Sequence, residues 1–163
     1  FRSIPAGGQP AEQVLVRFSI SAYNRWDYDM ASGRYVRFQD TQEAGSFADE
    51  VYTPMTDQLT GQQVAADNII ILPLPHRYTY KSGNSEIVDI EMGTNGKGYA
   101  IRDGLLYQIN WSRPTSDSVL TFSLSDGTPY NLKPGNTWYQ IIGESSTSET
   151  AENNTWRFTF NIP

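Results

Sequence analysis

Two aspartates on one predicted strand are the side chains of this sequence best placed for acid–base chemistry. Asp27 and Asp29 alternate with Trp26 and Tyr28, so both carboxylates face one side of the strand, about 6.6 Å apart at ~3.3 Å per residue. That separation falls in the range of the acid and base of glycoside hydrolases. The same pattern allows a structural role, in which Asp29 caps the turn at Ser32-Gly33 and Asp27 faces water.

Few other groups could support catalysis or metal binding. The 163 residues contain no cysteine and one histidine, His76, whereas sites for transition metals combine several His, Cys or carboxylate ligands. We therefore predict a structural or surface role for His76, and we expect no catalytic residue, no metal and no cofactor.

Hydrogen-bonding side chains are concentrated in one long connection, residues 40–67. Long connections inside compact domains are often functional. We predict a recognition surface there that uses Asp57, Thr60, Gln62 and Asn68. These residues lack the spacing of a calcium-binding EF-hand.

Three residues outside that connection complete the predicted binding set: Arg102, Trp111 and Arg113. An arginine can hold a carboxylate through two hydrogen bonds or stack on an aromatic ring, and Arg113 could equally form a structural ion pair. Trp111 continues the apolar alternation of a strand, so it also fits a core position.

Aromatic residues and charge limit the classes of partner. The chain has 4 Trp, 10 Tyr and 7 Phe, and strand packing accounts for most of these rings. An exposed row could form a platform for sugars; its candidates are Tyr35, Tyr52, Tyr78 and Tyr80. A net charge of −6 with only 3 Lys makes nucleic acid and anionic membrane surfaces unfavourable partners for this domain.

The dominant hydrophobic period is two, which indicates strands. Residues 14–20 and 155–162 alternate between apolar and polar, and Ile69–Leu72 is a short apolar run typical of a central strand. Turns are predicted at Ser32-Gly33, Asn95-Gly96, Asp103-Gly104, Asp126-Gly127 and Pro134-Gly135.

These elements predict an all-β fold, an antiparallel sandwich or partly open barrel of about ten short strands with one long loop around residues 40–67. We expect a single β-rich domain over residues 1–163. Its opening segment and first strand occupy residues 1–21, and residues 143–154 form a mobile loop.

Several short motifs follow one another in a fixed order between Tyr23 and Trp138. They are Trp26-Asp27-Tyr28-Asp29 with Gly33, Tyr35 and Arg37; Thr60-Gly61-Gln62 with Ala65-Ala66-Asp67-Asn68; Arg102-Asp103-Gly104; Trp111-Ser112-Arg113-Pro114; and Pro134-Gly135 with Thr137-Trp138. The ordered set resembles the C-terminal domain of the YerB-like bacterial lipoproteins, a domain of unknown function. One departure is Met55-Thr56-Asp57, where family members often carry a histidine.

The resemblance implies an exported, lipid-anchored parent with an additional N-terminal domain, located at the bacterial cell surface or envelope, and no known activity. Together with the missing catalytic set, it favours a non-catalytic binding module that recognises an envelope protein or a cell-wall glycan. The alternatives are an envelope glycan or peptide hydrolase that uses Asp27 and Asp29, and a carbohydrate-binding module with exposed aromatics.

Overall fold

The computed structural model describes residues 3–82 and 85–161, in which two β-sheets face each other and one hairpin projects. In chain order the strands are β1 (Gln9–Pro10), β2 (Gln13–Ser19), β3 (Ala22–Asp29), β4 (Arg34–Asp40), β5 (Tyr52–Pro54), β6 (Ala65–Ala66), β7 (Asn68–Leu74), β8 (His76–Ser82), β9 (Ser85–Ile90), β10 (Asn95–Arg102), β11 (Leu105–Ser112), β12 (Thr121–Ser123), β13 (Thr137–Gly143), β14 (Thr147–Ala151) and β15 (Thr155–Thr159).

Sheet I has the strand order β1-β11-β10-β7-β13, with β12 on β11, and sheet II has the order β14-β15-β2-β3-β4-β5, with β6 on β4. Apart from a 3-10 turn at Phe47–Asp49, no helix occurs in the described residues. The predicted all-β class is confirmed. Phe1, Arg2 and Ile162, which belong to the predicted opening segment and last strand, lie outside the described residues.

The apolar run of β7 forms the centre of sheet I. Ile69, Ile70 and Ile71 are fully buried and Leu72 is nearly so, because β7 lies between β10 and β13 and both of its faces are covered. The predicted central strand is confirmed. Ile69 and Ile71 belong to the core between the sheets, whereas Ile70 and Leu72 belong to a second core on the other face of sheet I.

Each sheet contains one parallel pair, β7 with β13 and β2 with β15. All other pairings among the described strands are antiparallel. Tight turns in a sequence identify antiparallel neighbours, but parallel neighbours are joined by long connections that leave no local signature. The sheets are therefore mixed, a feature that the turn pattern did not indicate.

Two predicted loops contain regular structure. Residues 143–154, predicted as a mobile loop, include β14, which pairs with β15 after a turn at Asn153 and Asn154. The connection 40–67 contains the 3-10 turn and the short strands β5 and β6, both of which pair with β4. The polar composition of these segments reflects exposed strand edges.

The predicted turn at Asn95-Gly96 was wrong, because both residues lie in β10, paired with Ser112 and Trp111 of β11. The segment before them does not pair with β10 either. It forms β9, which pairs with β8 in a separate hairpin. The hairpin returns to the body of the domain where the Glu91 amide donates to the Pro75 carbonyl (3.0 Å).

Candidate functional site

A groove crosses sheet I where β7 ends and β10 begins. Its larger part has a volume of about 530 Å³, and a smaller depression of about 170 Å³ shares Pro73, Lys97 and Tyr99 with it. The other side chains of the groove that carry polar groups are Glu91, Asn95, Gln108, Asn110, Trp111, Ser125, Glu144 and Ser146.

The groove exists because two neighbouring strands separate. β10 pairs with β11 along its whole length but with β7 only from Tyr99 to Ile101. In a continued register Pro73 would face Lys97, and a proline has no N–H to donate to the ladder. The first half of β10 therefore has an open side.

Trp111 forms part of the groove wall and has an unusual hydrogen-bonding state. Its side chain lies across β10 opposite Gly96, where any Cβ would come within 2.8 Å of the indole nitrogen. The residue is 3% exposed, yet its Nε1–H has no acceptor among the described residues. Buried indole N–H groups usually have a partner, as in Trp26 and Trp156, whose Nε1 atoms donate at 3.1 and 3.0 Å.

The remaining groove residues combine one fixed ring with free polar groups. The Tyr99 ring meets Phe158 edge-on at 4.9 Å and its hydroxyl bonds Ser148 at 2.9 Å, which fixes its position. Lys97, Gln108 and Glu144 are exposed, and no side-chain hydrogen bond or ion pair holds them to another described residue. The groove thus offers a cation, a carboxylate and an amide.

The predicted recognition loop satisfies its own hydrogen bonds. The Asp57 carboxylate accepts from the amides of Leu59 and Thr60 and from the Thr60 hydroxyl at 2.8–3.1 Å, and that hydroxyl accepts from the Gln62 amide. Hydrogen bonds from Thr60 and Leu59 hold the pKa of Asp57 below its usual value. Asp57, Thr60 and Gln62 therefore form a compact turn outside the groove.

Asn68 and Arg102 are buried and tied to the segment before β13. The amide of Asn68 both donates to the Lys133 carbonyl and accepts from the Lys133 N–H, each at 2.8 Å. The Arg102 guanidinium donates to Asp103 at 2.7 Å and to the Asn131 carbonyl at 3.0 Å. Of the seven predicted binding residues, the structure places Trp111 alone in the groove.

Arg113 lies beyond the end of β11. It contacts the Met92 sulfur at 3.8 Å and donates to the Ser116 carbonyl. It makes no ion pair with another described residue. Its guanidinium therefore holds the loop that follows its own strand.

The two aspartates of the hydrolase alternative are engaged in local structure. Asp29 accepts from the Ala31 and Ser32 amides, each at 3.1 Å, and hydrogen bonds from Ser32 and Ala31 lower its pKa. Asp27 pairs with Arg25 at 3.0 Å and accepts from Gln13 at 3.0 Å. A general acid needs a raised pKa, so the environment of Asp29 is opposite to what that role requires.

His76 and the four candidate platform tyrosines do not form a common surface. The His76 ring packs edge-on against Phe160 at 5.2 Å, with Nδ1 2.8 Å from the Leu74 carbonyl oxygen. Tyr35 is fully buried, and Tyr52 is half-buried, whereas Tyr80 is exposed on the projecting hairpin. Tyr78 is half-buried on that same hairpin.

Residues 3–82 and 85–161 contain neither a group of metal-binding side chains nor a membrane-spanning helix. No three His, Asp or Glu side chains there are grouped closely enough to hold a metal ion. No helix within that part of the chain has the length and apolar character needed to span a membrane.

Sequence reasoning missed Lys97, Tyr99 and Gln108 as groove residues. The signal was a strand that ends in Pro73 and Pro75 beside a longer neighbour. Such an arrangement exposes the neighbour's backbone and side chains, but it becomes readable only once the pairing of β7 with β10 is known.

Comparisons with known proteins relate the chain to one family. The sequence model of the C-terminal domain of a protein family of unknown function, DUF3048, matches residues 14–139. The chain is 32% identical over 87 residues to the protein named "Putative lipoprotein YerB" of Bacillus subtilis (strain 168), which covers 53% of this chain and 24% of that protein. The crystal structure of YerB from Bacillus subtilis has a similar fold, with a TM-score of 0.63 and 24% identity, over 82% of this chain and 41% of the crystallised one. The chain thus spans less than half of YerB, and the predicted resemblance is confirmed.

Proposed function

Since this chain belongs to the family of DUF3048 C-terminal domains, whose relative YerB is named "Putative lipoprotein", we propose that it is a non-catalytic binding module of an extracytoplasmic lipoprotein. Its ligand is a cell-wall glycan, which occupies the groove between β7 and β10. The parent protein is lipid-anchored and carries a further N-terminal domain.

The unpaired indole N–H of Trp111 is the observation that carries this proposal. A buried donor without an acceptor is unfavourable by about 1–3 kcal/mol, so a ligand oxygen that reaches it is favoured. Hydroxyl and acetamido oxygens of a glycan are acceptors of this kind. Because Gly96 has no Cβ, the Trp111 indole can lie at the groove wall.

The other groove residues suit an extended polar ligand. Tyr99 offers a fixed aromatic ring, and glycan-binding sites use such rings to cover the apolar faces of sugars. Lys97, Gln108 and Glu144 supply donors and acceptors that no other described residue uses. Their free state means that little internal bonding is lost when a ligand binds.

Binding is favoured over hydrolysis by the positions of the carboxylates. Asp27 and Asp29 do not line the groove. Glu91, which does, forms an ion pair with Arg77 at 2.7 Å, so its carboxylate already faces a cation.

Co-sedimentation with purified cell-wall sacculi tests the proposal. Lys97→Gln is expected to weaken retention by about tenfold or more, because one charge-assisted hydrogen bond contributes roughly 1.5–3 kcal/mol. Gln58→Glu is the matched control, since it lowers the net charge by the same amount at an exposed position outside the groove. The soluble fraction is assayed for new reducing ends in parallel.

Equal loss of retention in the Lys97→Gln and Gln58→Glu variants would mean that only net charge matters and would contradict a specific groove. Release of reducing ends by the wild-type domain would replace the binding proposal with the hydrolase alternative. Full retention of the Lys97 variant would contradict glycan binding in the groove.

A further inference from the structure

We propose a second ligand site at the far end of β10, which takes the terminal carboxylate of a peptide that ends in a small aliphatic residue. The site is a cavity of about 380 Å³ lined by Ile4, Arg102, Asp103, Lys133 and Pro134. It shares no lining residue with the groove and does not depend on the glycan proposal.

The charged side chains that line this cavity have a net charge of about +1. Asp103 lies between two cations, with Arg102 Nε at 2.7 Å and Lys133 Nζ at 3.1 Å. Burial alone would raise the pKa of Asp103, but hydrogen bonds from Arg102 and Lys133 outweigh burial and lower it, so Asp103 is ionised at neutral pH. Two cations and one anion suit a monoanion, whereas the Asp103 charge disfavours a phosphate dianion.

The Arg102 guanidinium has a donor group that no described residue uses. Arg102 is 2% exposed, and only its Nε and Nη1 donate to described residues, to Asp103 and to the Asn131 carbonyl. A guanidinium carries five N–H groups, so Nη2 is left to a ligand.

A carboxylate fits this arrangement better than a neutral acceptor. Arginine binds carboxylates through paired, charge-assisted hydrogen bonds, which are roughly twice as strong as neutral ones. Lys133 adds an ammonium at the rim, where its side chain is 23% exposed. Together these groups provide the donors that a planar monoanion accepts.

The apolar walls of the cavity favour a particular side chain on the terminal residue of the ligand. Ile4 and Pro134 form the apolar sides of the cavity, and Ile4 is 54% exposed. A small aliphatic side chain next to the carboxylate would cover Ile4, whereas a charged one would lose water against the apolar walls without gaining a partner. The ligand class is therefore a peptide terminus with a side chain such as that of alanine.

Titration of the whole domain with N-acetylalanine and with N-acetylalaninamide, followed by amide chemical shifts, tests this site. The acid is expected to bind saturably with shifts at Arg102, Asp103 and Lys133, and the amide about tenfold or more weakly because it lacks the charge. Inorganic phosphate is expected to bind more weakly than the acid. Equal binding of acid and amide, or no saturable shift with the acid, would overturn the proposal.

Three variants separate this site from the groove. Lys133→Gln makes the cluster neutral and is expected to weaken acid binding about tenfold, whereas Lys97→Gln leaves it unchanged. Ile4→Ser removes an exposed wall without touching the ion pairs, so it tests the site even where a charge variant folds poorly; weaker acid binding is expected. Equal loss in the two lysine variants would contradict the site. Failure of sacculus binding would leave these results unaffected.

Discussion

Replacing Glu50 with alanine is expected to lower the free energy of unfolding by about 3–5 kcal/mol, because it leaves two buried guanidinium groups without their anion. The Glu50 side chain is 2% exposed and bonds Arg17 and Arg157 at 2.9 Å and the Tyr52 hydroxyl at 2.6 Å. The two arginine side chains are 9% and 15% exposed. Breaking a cluster this buried is therefore expected to cost more than breaking an exposed ion pair, which typically contributes about 0–1 kcal/mol.

Urea unfolding of the variant and the wild type measures this effect. Glu43→Ala is the matched control, since Glu43 is exposed in the same connection and bonds no other described side chain; a change within about 0.5 kcal/mol is expected for it. If both glutamate variants were equally stable, the Glu50 cluster would not be the anchor of this connection.

The same cluster gives the domain an acid-sensitive stability. Burial alone would raise the pKa of Glu50, but hydrogen bonds from Tyr52, Arg17 and Arg157 lower it below the usual value. A pKa lowered by folding stabilises the domain above the unfolded value near 4.3, and this contribution is lost as the pH falls through the folded value. We expect stability to fall below about pH 5 and to fall less steeply in the Glu50 variant.

The second large effect is expected for Gly135→Ala, which should cost about 3 kcal/mol or more through backbone strain and overpacking. Gly135 has φ of 132°, and any Cβ there would overlap the Asp67 carboxylate. That carboxylate accepts from the Asn136 amide at 3.0 Å, so moving it away breaks a bond between the start of β13 and the end of β6.

Gly127→Ala is the control that separates strain from overlap. Gly127 also has a positive φ, 85°, but nothing lies within 4 Å of its missing Cβ. A cost of roughly 1–2 kcal/mol is expected for it from the left-handed backbone alone. Thermal and urea unfolding of both variants measure the difference, and equal costs would show that the contact with Asp67 contributes nothing.

Local features of the sequence predicted the local features of the fold. Asp103-Gly104 forms the expected tight turn with φ of 53° and 74°, and Asp29 caps the Ser32-Gly33 turn as expected. Asn95-Gly96 has the same turn chemistry, yet it lies in β10 because its ladder to β11 and the packing of Trp111 outweigh the local preference.

The family motifs predicted the fold better than they predicted a binding site. Several of their residues form contacts between distant segments: Gly104 lies against the Tyr28 ring, and Asn68 bonds the backbone of Lys133. A motif of this kind identifies a family because it holds the fold together. It does not show where a ligand binds.

The groove could not be predicted from the sequence because it depends on where the pairing of β10 with β7 ends. Trp111 was a candidate from its motif, but Lys97 and Gln108 are ordinary exposed residues in the sequence. They come together because β11 and the first half of β10 extend beyond the last pair of β10 with β7, Tyr99 with Ile71. The register between two strands almost thirty residues apart cannot be recognised from the residues of either strand alone.

Binding of a glycan at Trp111 is tested by the indole N–H signals of the four tryptophans, recorded in a nitrogen–proton correlation spectrum during titration with soluble cell-wall glycan fragments. Trp111→Phe assigns its signal. Trp26 and Trp156, whose N–H groups already donate to Asn24 and Pro10, serve as internal references. We expect a saturable downfield shift of the Trp111 signal while both references stay in place. Saturable glycan binding that leaves the Trp111 signal unmoved would contradict it.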